Sequence, residues 1–130
     1  MENAMKQHGA FSWNELVTTD IAGAKVFYAD MFGWTLEDEV MPSMTYTMAK
    51  IGDQGVAGMM AMPPEAKGMP SMWGGYVTVD DVDKAAAKAE GLGAKIMVPA
   101  QDIPDVGRFV VISDPQGAMV TMITYVDDIK

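Results

Sequence analysis

The chain contains no cysteine. Disulfides, thiolate nucleophiles and Cys-ligated zinc or iron-sulfur sites are thereby excluded, and a reducing cytoplasm is the expected location. Histidine is almost as scarce, with His8 the single instance and placed near the amino terminus. One imidazole builds neither a His-rich metal centre nor a Ser-His-Asp set, and in this tail it reads as a solvated residue. Basic residues number 9 against 18 acidic ones, giving a formal net charge of -9, and no two basic residues are adjacent. Nucleic acid and anionic bilayers would be repelled, so neither is an expected partner. No window approaches the apolar length of a membrane span. Residues 1–10 include Glu2, Lys6, Gln7 and His8 and lack the apolar stretch of a signal peptide, so no export is expected. A Gly-rich phosphate loop ending in Lys-Ser/Thr is also missing.

What is present has the balance of a packed protein, with 49% apolar and 21% charged residues in 130. A chain of this size fits one domain, here taken as residues 1–130, burying roughly two-thirds of its unfolded surface.

That domain contains a repeat. Trp13, Val17, Thr18 and Asp20 recur 60 residues later as Trp73, Val77, Thr78 and Asp80, and Gly33 recurs as Gly93. Gln54-Gly55 recurs as Gln116-Gly117 at an offset of 62. In the first half, Phe11 to Thr19 alternates as a strand. Asp20 then caps a helix with apolar positions Ile21, Ala24, Phe27, Tyr28, Met31 and Phe32, stopped by Gly33. Strands follow over Trp34–Glu39, Thr45–Ile51 and Val56–Met62. The second half repeats the order with strand Trp73–Val79, helix Val82–Leu92 and strands Ala94–Val98, Phe109–Ser113 and Ala118–Tyr125. Its last turn is Asp114-Pro115-Gln116-Gly117. Pro63, Pro64, Gly68 and Pro70 mark a linker over 63–72 between module one, about 11–62, and module two, about 73–126. The expected class is α+β, as two tandem βαβββ modules.

The strand ending in Asp20, the helix with Phe27-Tyr28, the Phe32-Gly33-Trp34 exit, the Val79-Asp80-Asp81-Val82-Asp83 start and the Asp114-Pro115-Gln116-Gly117 turn together resemble the glyoxalase/bleomycin-resistance/dioxygenase (vicinal oxygen chelate) superfamily. Trp13-x-Glu15-Leu16, Trp73-x-x-Tyr76 and Gly107-Arg108-Phe109 resemble its glyoxalase-like branch around the mycobacterial 27-30 kDa antigen/hydroxylase group, in which such units are often doubled. The resemblance implies a curled eight-stranded mixed sheet around a cup, with the helices outside. It leaves function open, because the superfamily includes isomerases, dioxygenases, epimerases, thiol transferases and drug-sequestering proteins.

Metal-dependent members take His, Gln or Glu from the first and last strands of both modules. Counting from the turns puts Trp13, either Trp73 or Gly74, about Met59, and Thr121 in those slots, and none suits a hard or borderline cation. Asp80-Asp81-x-Asp83 reads as a helix-start cluster complementing the helix dipole rather than a calcium site. No metal and no other cofactor is expected.

With period two, the face carrying Trp13 also carries Glu15 and Val17, and the matching second-half face carries Tyr76 and Thr78. Glu15 is the one ionisable group placed inward. It can bond Tyr76 or backbone, hold a ligand, or act as a general base. Arg108 can grip a ligand carboxylate or phosphate, or pair with Asp102 or Asp105. Trp13, Trp34 and Trp73 either wall a planar ligand or fill core. Met48, Met59 and Thr121 complete the expected lining. There are 14 methionines, with Met41, Met44, Met48, Met59, Met60, Met62, Met69 and Met72 gathered mid-chain. Flexible thioethers suit a permissive cup, a subunit interface or gap-filling core.

The leading expectation is a metal-independent domain binding a small apolar or aromatic metabolite, assembled as a homodimer. One alternative is a lyase or isomerase acting on a carbonyl compound with Glu15 as base. Another is a non-catalytic interaction module whose cup is filled by its own side chains.

Overall fold

The computed structural model describes residues 4–64 and 68–126; positions 65–67 of the expected linker lie outside the described residues. A short 3-10 turn over Ala4–Lys6 is followed by β1 (Phe11–Thr18), α1 (Ile21–Phe32), β2 (Thr35–Val40), β3 (Thr45–Ile51), β4 (Gln54–Ala61), β5 (Met72–Thr78), α2 (Val82–Gly91), β6 (Lys95–Ile103), β7 (Gly107–Ser113) and β8 (Met119–Tyr125). This is the α+β class with the βαβββ order twice over. The chain forms two compact units, Trp13–Gly74, and Met1–Ser12 together with Gly75–Lys130.

In the first unit the strands run in the order β2-β3-β4-β1, antiparallel except for the parallel pair β1 and β4. Asp20 starts α1 because its carboxylate accepts the Gly23 N–H at 2.9 Å, satisfying a donor that the helix itself leaves unpaired. The helix stops where Gly33 adopts φ 70°, a left-handed conformation costly for any residue with a Cβ, and its N–H closes onto the Ala29 carbonyl. Leu16, Thr18, Thr47, Ala49, Ala57 and Met59 are buried. The pairs Leu16↔Met59, Thr47↔Met59 and Ala49↔Ala57 place them on one face of the sheet. Lys25 of α1 reaches Asp38 on that same face, so this is the face covered by the helix.

In the second unit the order is β5-β8-β7-β6, again with one parallel pair, β5 and β8. Asp81 caps α2 by accepting from Lys84 N–H at 3.1 Å. Ala85, Ala86 and Ala89 let the helix approach a cluster of Val79, Val82, Val110 and Ile112, with Ile96, Val120 and Met122 packed around it. Each buried aliphatic side chain there contributes about 1.5–3 kcal/mol. Asp114 shapes the final turn, accepting from Gln116 N–H and Ala118 N–H, both at 2.9 Å, while Gly117 takes φ 93°.

Three local readings are corrected. β6 runs on to Ile103 rather than stopping at Val98, because its pairing with β7 continues across two register shifts, and Pro99 falls within the second, between Val98 and Gln101, where the missing N–H costs no ladder bond. His8 is tied down rather than merely solvated: its Nδ1 accepts the Asp80 N–H at 3.0 Å. The apolar positions of α1 do not all face the sheet. Ile21, Ala24 and Tyr28 are half-buried, whereas Phe27, Met31 and Phe32 are exposed.

Candidate functional site

The helix caps fix how the two modules correspond. Asp20 matches Asp81, an offset of 61 rather than 60. The structural counterpart of Trp13 is then Gly74, that of Glu15 is Tyr76, and Trp73 belongs one residue out of phase. Because strand side chains alternate, this single step sends Trp73 to the opposite face.

The consequence is visible in the aromatics. Trp73 donates its indole N–H to the Tyr28 hydroxyl of α1 at 3.0 Å. Trp34 joins the same group, with ring centroids 5.8 Å from Tyr28, 5.1 Å from Phe32 and 6.1 Å from Trp73. These rings pack against the helix, in the offset and edge-on arrangements that aromatic quadrupoles favour. Trp13 lies on the face away from the helix, so the three tryptophans form no common wall.

On that open face, β1 presents Trp13, Glu15 and Val17, β4 presents Gly58 and Met60, and β3 presents Tyr46 and Met48. The Trp13 indole N–H donates to the Tyr46 hydroxyl at 2.9 Å. Two glycines make room for this pair. A methyl on Gly58 would overlap the Tyr46 hydroxyl, and one on Gly55 would press on Met48 Sδ at 2.9 Å and the Trp13 ring at 3.6 Å. Glu15 pairs directly with Gly58, so the Tyr46 phenol lies beside the backbone position from which the Glu15 carboxylate projects. Trp13, Glu15, Tyr46 and Met48 are all half-buried. Tyr46 is the residue that sequence reasoning passed over. Its partnership with Trp13 depends on the register of β3 against β4, which period-two alternation does not supply.

Met59, expected as a lining residue, is 0% exposed on the helix side. The register Val17↔Met60 puts its neighbour Met60 on the open face instead. In module two, Tyr76 pairs with Thr121, placing both on the face of that unit opposite the one where Met122 packs beneath α2. Arg108 stands on the helix side, donating from Nε and Nη2 to the two Asp83 carboxylate oxygens and from Nη1 to Asp102, each at 3.1 Å. Asp83 first, then Asp102, raise its affinity for its proton above the ordinary guanidinium value. Its fork is occupied within the fold, by Asp83 and Asp102 rather than by Asp105.

Among the described residues no group of three or more His, Asp or Glu lies together as a metal ion would require. No helix among them is long and apolar enough to cross a membrane.

Comparison with known proteins agrees with this architecture. CFP32 of Mycobacterium tuberculosis (strain CDC 1551 / Oshkosh), a protein named only provisionally as a glyoxylase, is 43% identical over 117 residues, covering 88% of this chain and 45% of that protein. The anthracycline biosynthesis protein DnrV of Streptomyces peucetius is 28% identical over 123 residues, covering 85% of this chain and 45% of that one. The chain thus spans about half the length of the curated relatives it matches. Among solved structures, methylmalonyl-CoA epimerase from Mycobacterium tuberculosis superposes with a TM-score of 0.61 at 14% identity, covering 91% of this chain and 89% of that one, a likeness of fold alone. Residues 10–122 match the family model for the Glyoxalase/Bleomycin resistance protein/Dioxygenase superfamily, and the chain belongs to that superfamily.

Proposed function

We propose that this domain binds a small, partly apolar or aromatic molecule without a transition metal, on the face of module one that carries Trp13, Glu15 and Tyr46. The observation that carries the proposal is the Trp13 to Tyr46 hydrogen bond of 2.9 Å, set over Gly58 and beside Glu15. A half-buried indole and phenol supply apolar rings with polar tips, and a carboxylate next to them supplies an acceptor, which is the mixture small-molecule sites use. Metal independence is supported by donor chemistry. The strand positions that pair here offer Trp13, Glu15, Gly58 and Met60 in module one, a single carboxylate with no imidazole.

A second reading is favoured by the 43% identical relative named for a glyoxylase. In it, Glu15 acts as a general base on a carbonyl compound, taking the proton next to the carbonyl.

Native mass spectrometry of protein purified without chelator tests the binding reading, followed by titration of a metabolite panel monitored by tryptophan fluorescence. A retained organic mass without metal, and a ligand whose affinity falls at least tenfold in Tyr46→Phe or Glu15→Gln, is the expected result. One stoichiometric, tightly held transition metal would overturn it. Turnover of a carbonyl substrate that Glu15→Gln abolishes while binding persists would establish the second reading.

A further inference from the structure

In module two, Thr78 pairs with Ile123, and both stand on the face turned away from α2. Nothing in the βαβββ unit itself covers that face, yet Thr78 is 4% exposed and Ile123 1%. The repeat provides an internal comparison. At the offset fixed by the caps, Thr78 corresponds to Val17, whose partner on β4 is Met60, and these two are only half-buried on the open face of module one. Tyr76 and Thr121, two residues back along the same pair of strands, are half-buried as well.

The cover over Thr78 and Ile123 is the chain's own residues 4–10. The Thr78 hydroxyl donates to the Ala4 carbonyl at 2.7 Å, and the 3-10 turn Ala4–Lys6 packs beside β8. Next to it, the Gly9 N–H donates to the Thr78 carbonyl at 2.7 Å and the Thr78 N–H to the Ala10 carbonyl at 2.8 Å, while His8 Nδ1 accepts the Asp80 N–H at 3.0 Å. These four bonds all end on Thr78 or Asp80, so the segment is fastened at one place, the exit of β5. Lys6, Gln7, His8 and Gly9 are exposed, and Ala4, Met5 and Ala10 are half-buried. A segment held by a few hydrogen bonds and so little apolar contact opens far more readily than the core around Val110.

We propose that residues 4–10 are a strap that keeps the module-two counterpart of the ligand face shut, and that its opening, with the module still folded, admits a small uncharged apolar molecule over Tyr76, Thr78, Thr121 and Ile123. The role as a gate rests on module one being a ligand face, whereas the opening itself does not. A chain built from two equivalent faces thus shows a ligand only one of them at rest. Affinity for the second face is reduced by the fraction of time that the strap is open.

The chain has no cysteine, so an introduced thiol reports exposure at a single place. Ile123→Cys puts the thiol under the strap, and Val110→Cys puts it in the α2 core, at a site that is 0% exposed. With N-ethylmaleimide, position 123 should be labelled at least tenfold faster than position 110, with a weak dependence on urea where that at 110 is steep. Thr78→Val keeps the branched shape found at Val17 and removes the bond to Ala4, and should quicken labelling at 123 about fivefold, the equivalent of one hydrogen bond. In the unaltered chain, hydrogen exchange gives the same comparison: the Gly9 and Thr78 amides should exchange ahead of the Val110 amide. Nile red, an uncharged apolar dye, should bind Thr78→Val about fivefold more tightly than the unaltered chain, at a site that Thr121→Asp removes. Labelling at 123 that matches 110 in rate and urea dependence, or that ignores Thr78→Val, overturns the strap. A strap that opens while the dye's affinity stays unmoved overturns the gate, and leaves the reading of module one to its own variants, Tyr46→Phe and Glu15→Gln.

Discussion

Trp13 and Tyr46 meet through a 2.9 Å hydrogen bond although they stand on strands that do not pair with each other; β4 lies between β1 and β3. The contact bridges a strand whose glycines at 55 and 58 let both side chains lie low across the sheet. Removing the phenolic oxygen in Tyr46→Phe keeps the ring and leaves the indole N–H without this acceptor. The expected cost is about 1 kcal/mol of stability, together with a shift in tryptophan emission, read by urea titration and fluorescence.

Gly58 and Gly107 separate two kinds of crowding. A methyl at Gly58 meets the far end of the Tyr46 side chain, which can swing away. A methyl at Gly107 meets the Thr124 carbonyl oxygen and the Tyr125 Cα, backbone that cannot move without breaking the β7–β8 ladder. Gly58→Ala should fold with a loss of about 1–3 kcal/mol and an altered tryptophan environment, whereas Gly107→Ala should fail to accumulate as soluble folded protein. Urea midpoints and soluble yield measure the two.

Asp38 gives a prediction with a sign in pH. Lys25 first, then Thr47, hold its carboxyl below the ordinary value of 3.8. The folded chain thus releases this proton more readily than the unfolded one, so the contribution is complete above that ordinary value and is lost as pH falls below it through the lowered one. The difference in urea midpoint between the wild type and Asp38→Asn should therefore be present at neutral pH and shrink steadily below pH 3.8.

Arg108 should behave as a structural residue. Its partners Asp83 and Asp102 sit at the start of α2 and on β6, so Arg108→Gln should lower the urea midpoint modestly. Affinity for any ligand that responds to Glu15→Gln should stay unchanged within twofold. A large loss of affinity would mean that the guanidinium leaves its carboxylates to hold the ligand.

Addition of zinc, nickel or manganese, or of EDTA, should leave the thermal midpoint of the purified chain where it is. A metal that bound only the folded form at a hundred times its dissociation constant would raise stability by about 2.7 kcal/mol, a shift easily seen by scanning fluorimetry.

The helices, the Asp20 cap, the turn glycines and the βαβββ succession along the chain were legible because each is written locally: an Asx cap, a left-handed glycine and alternation over a few residues carry their own signals. Face and register were not. The Trp13/Trp73 match suggested an offset of 60, but the caps set 61, and one residue in a strand is enough to move Trp73 from the open face to Tyr28. The same sensitivity put Met59 where Met60 belongs. Tyr46 went unread because only pairing between strands brings it to Trp13. The Met-rich middle of the chain divides between the two faces of the sheet: Met59 is fully buried on the helix side, whereas Met48 and Met60 stand half-buried on the open one.

Pro99 also bears on how the protein survives crowding in solution. β6 ends the strand order of module two, and an outermost strand offers unpaired amides as a template for other chains. Pro99 removes one of those amides, and the register shifts from Ile96 to Val98 and from Val98 to Gln101, the second containing Pro99 itself, bend the strand out of line. β2, outermost in module one, is guarded differently, by the run Glu37-Asp38-Glu39. A Pro99→Val variant would leave the core untouched while restoring a continuous sticky edge, and slow fibre growth of the native chain at high concentration would be its signature.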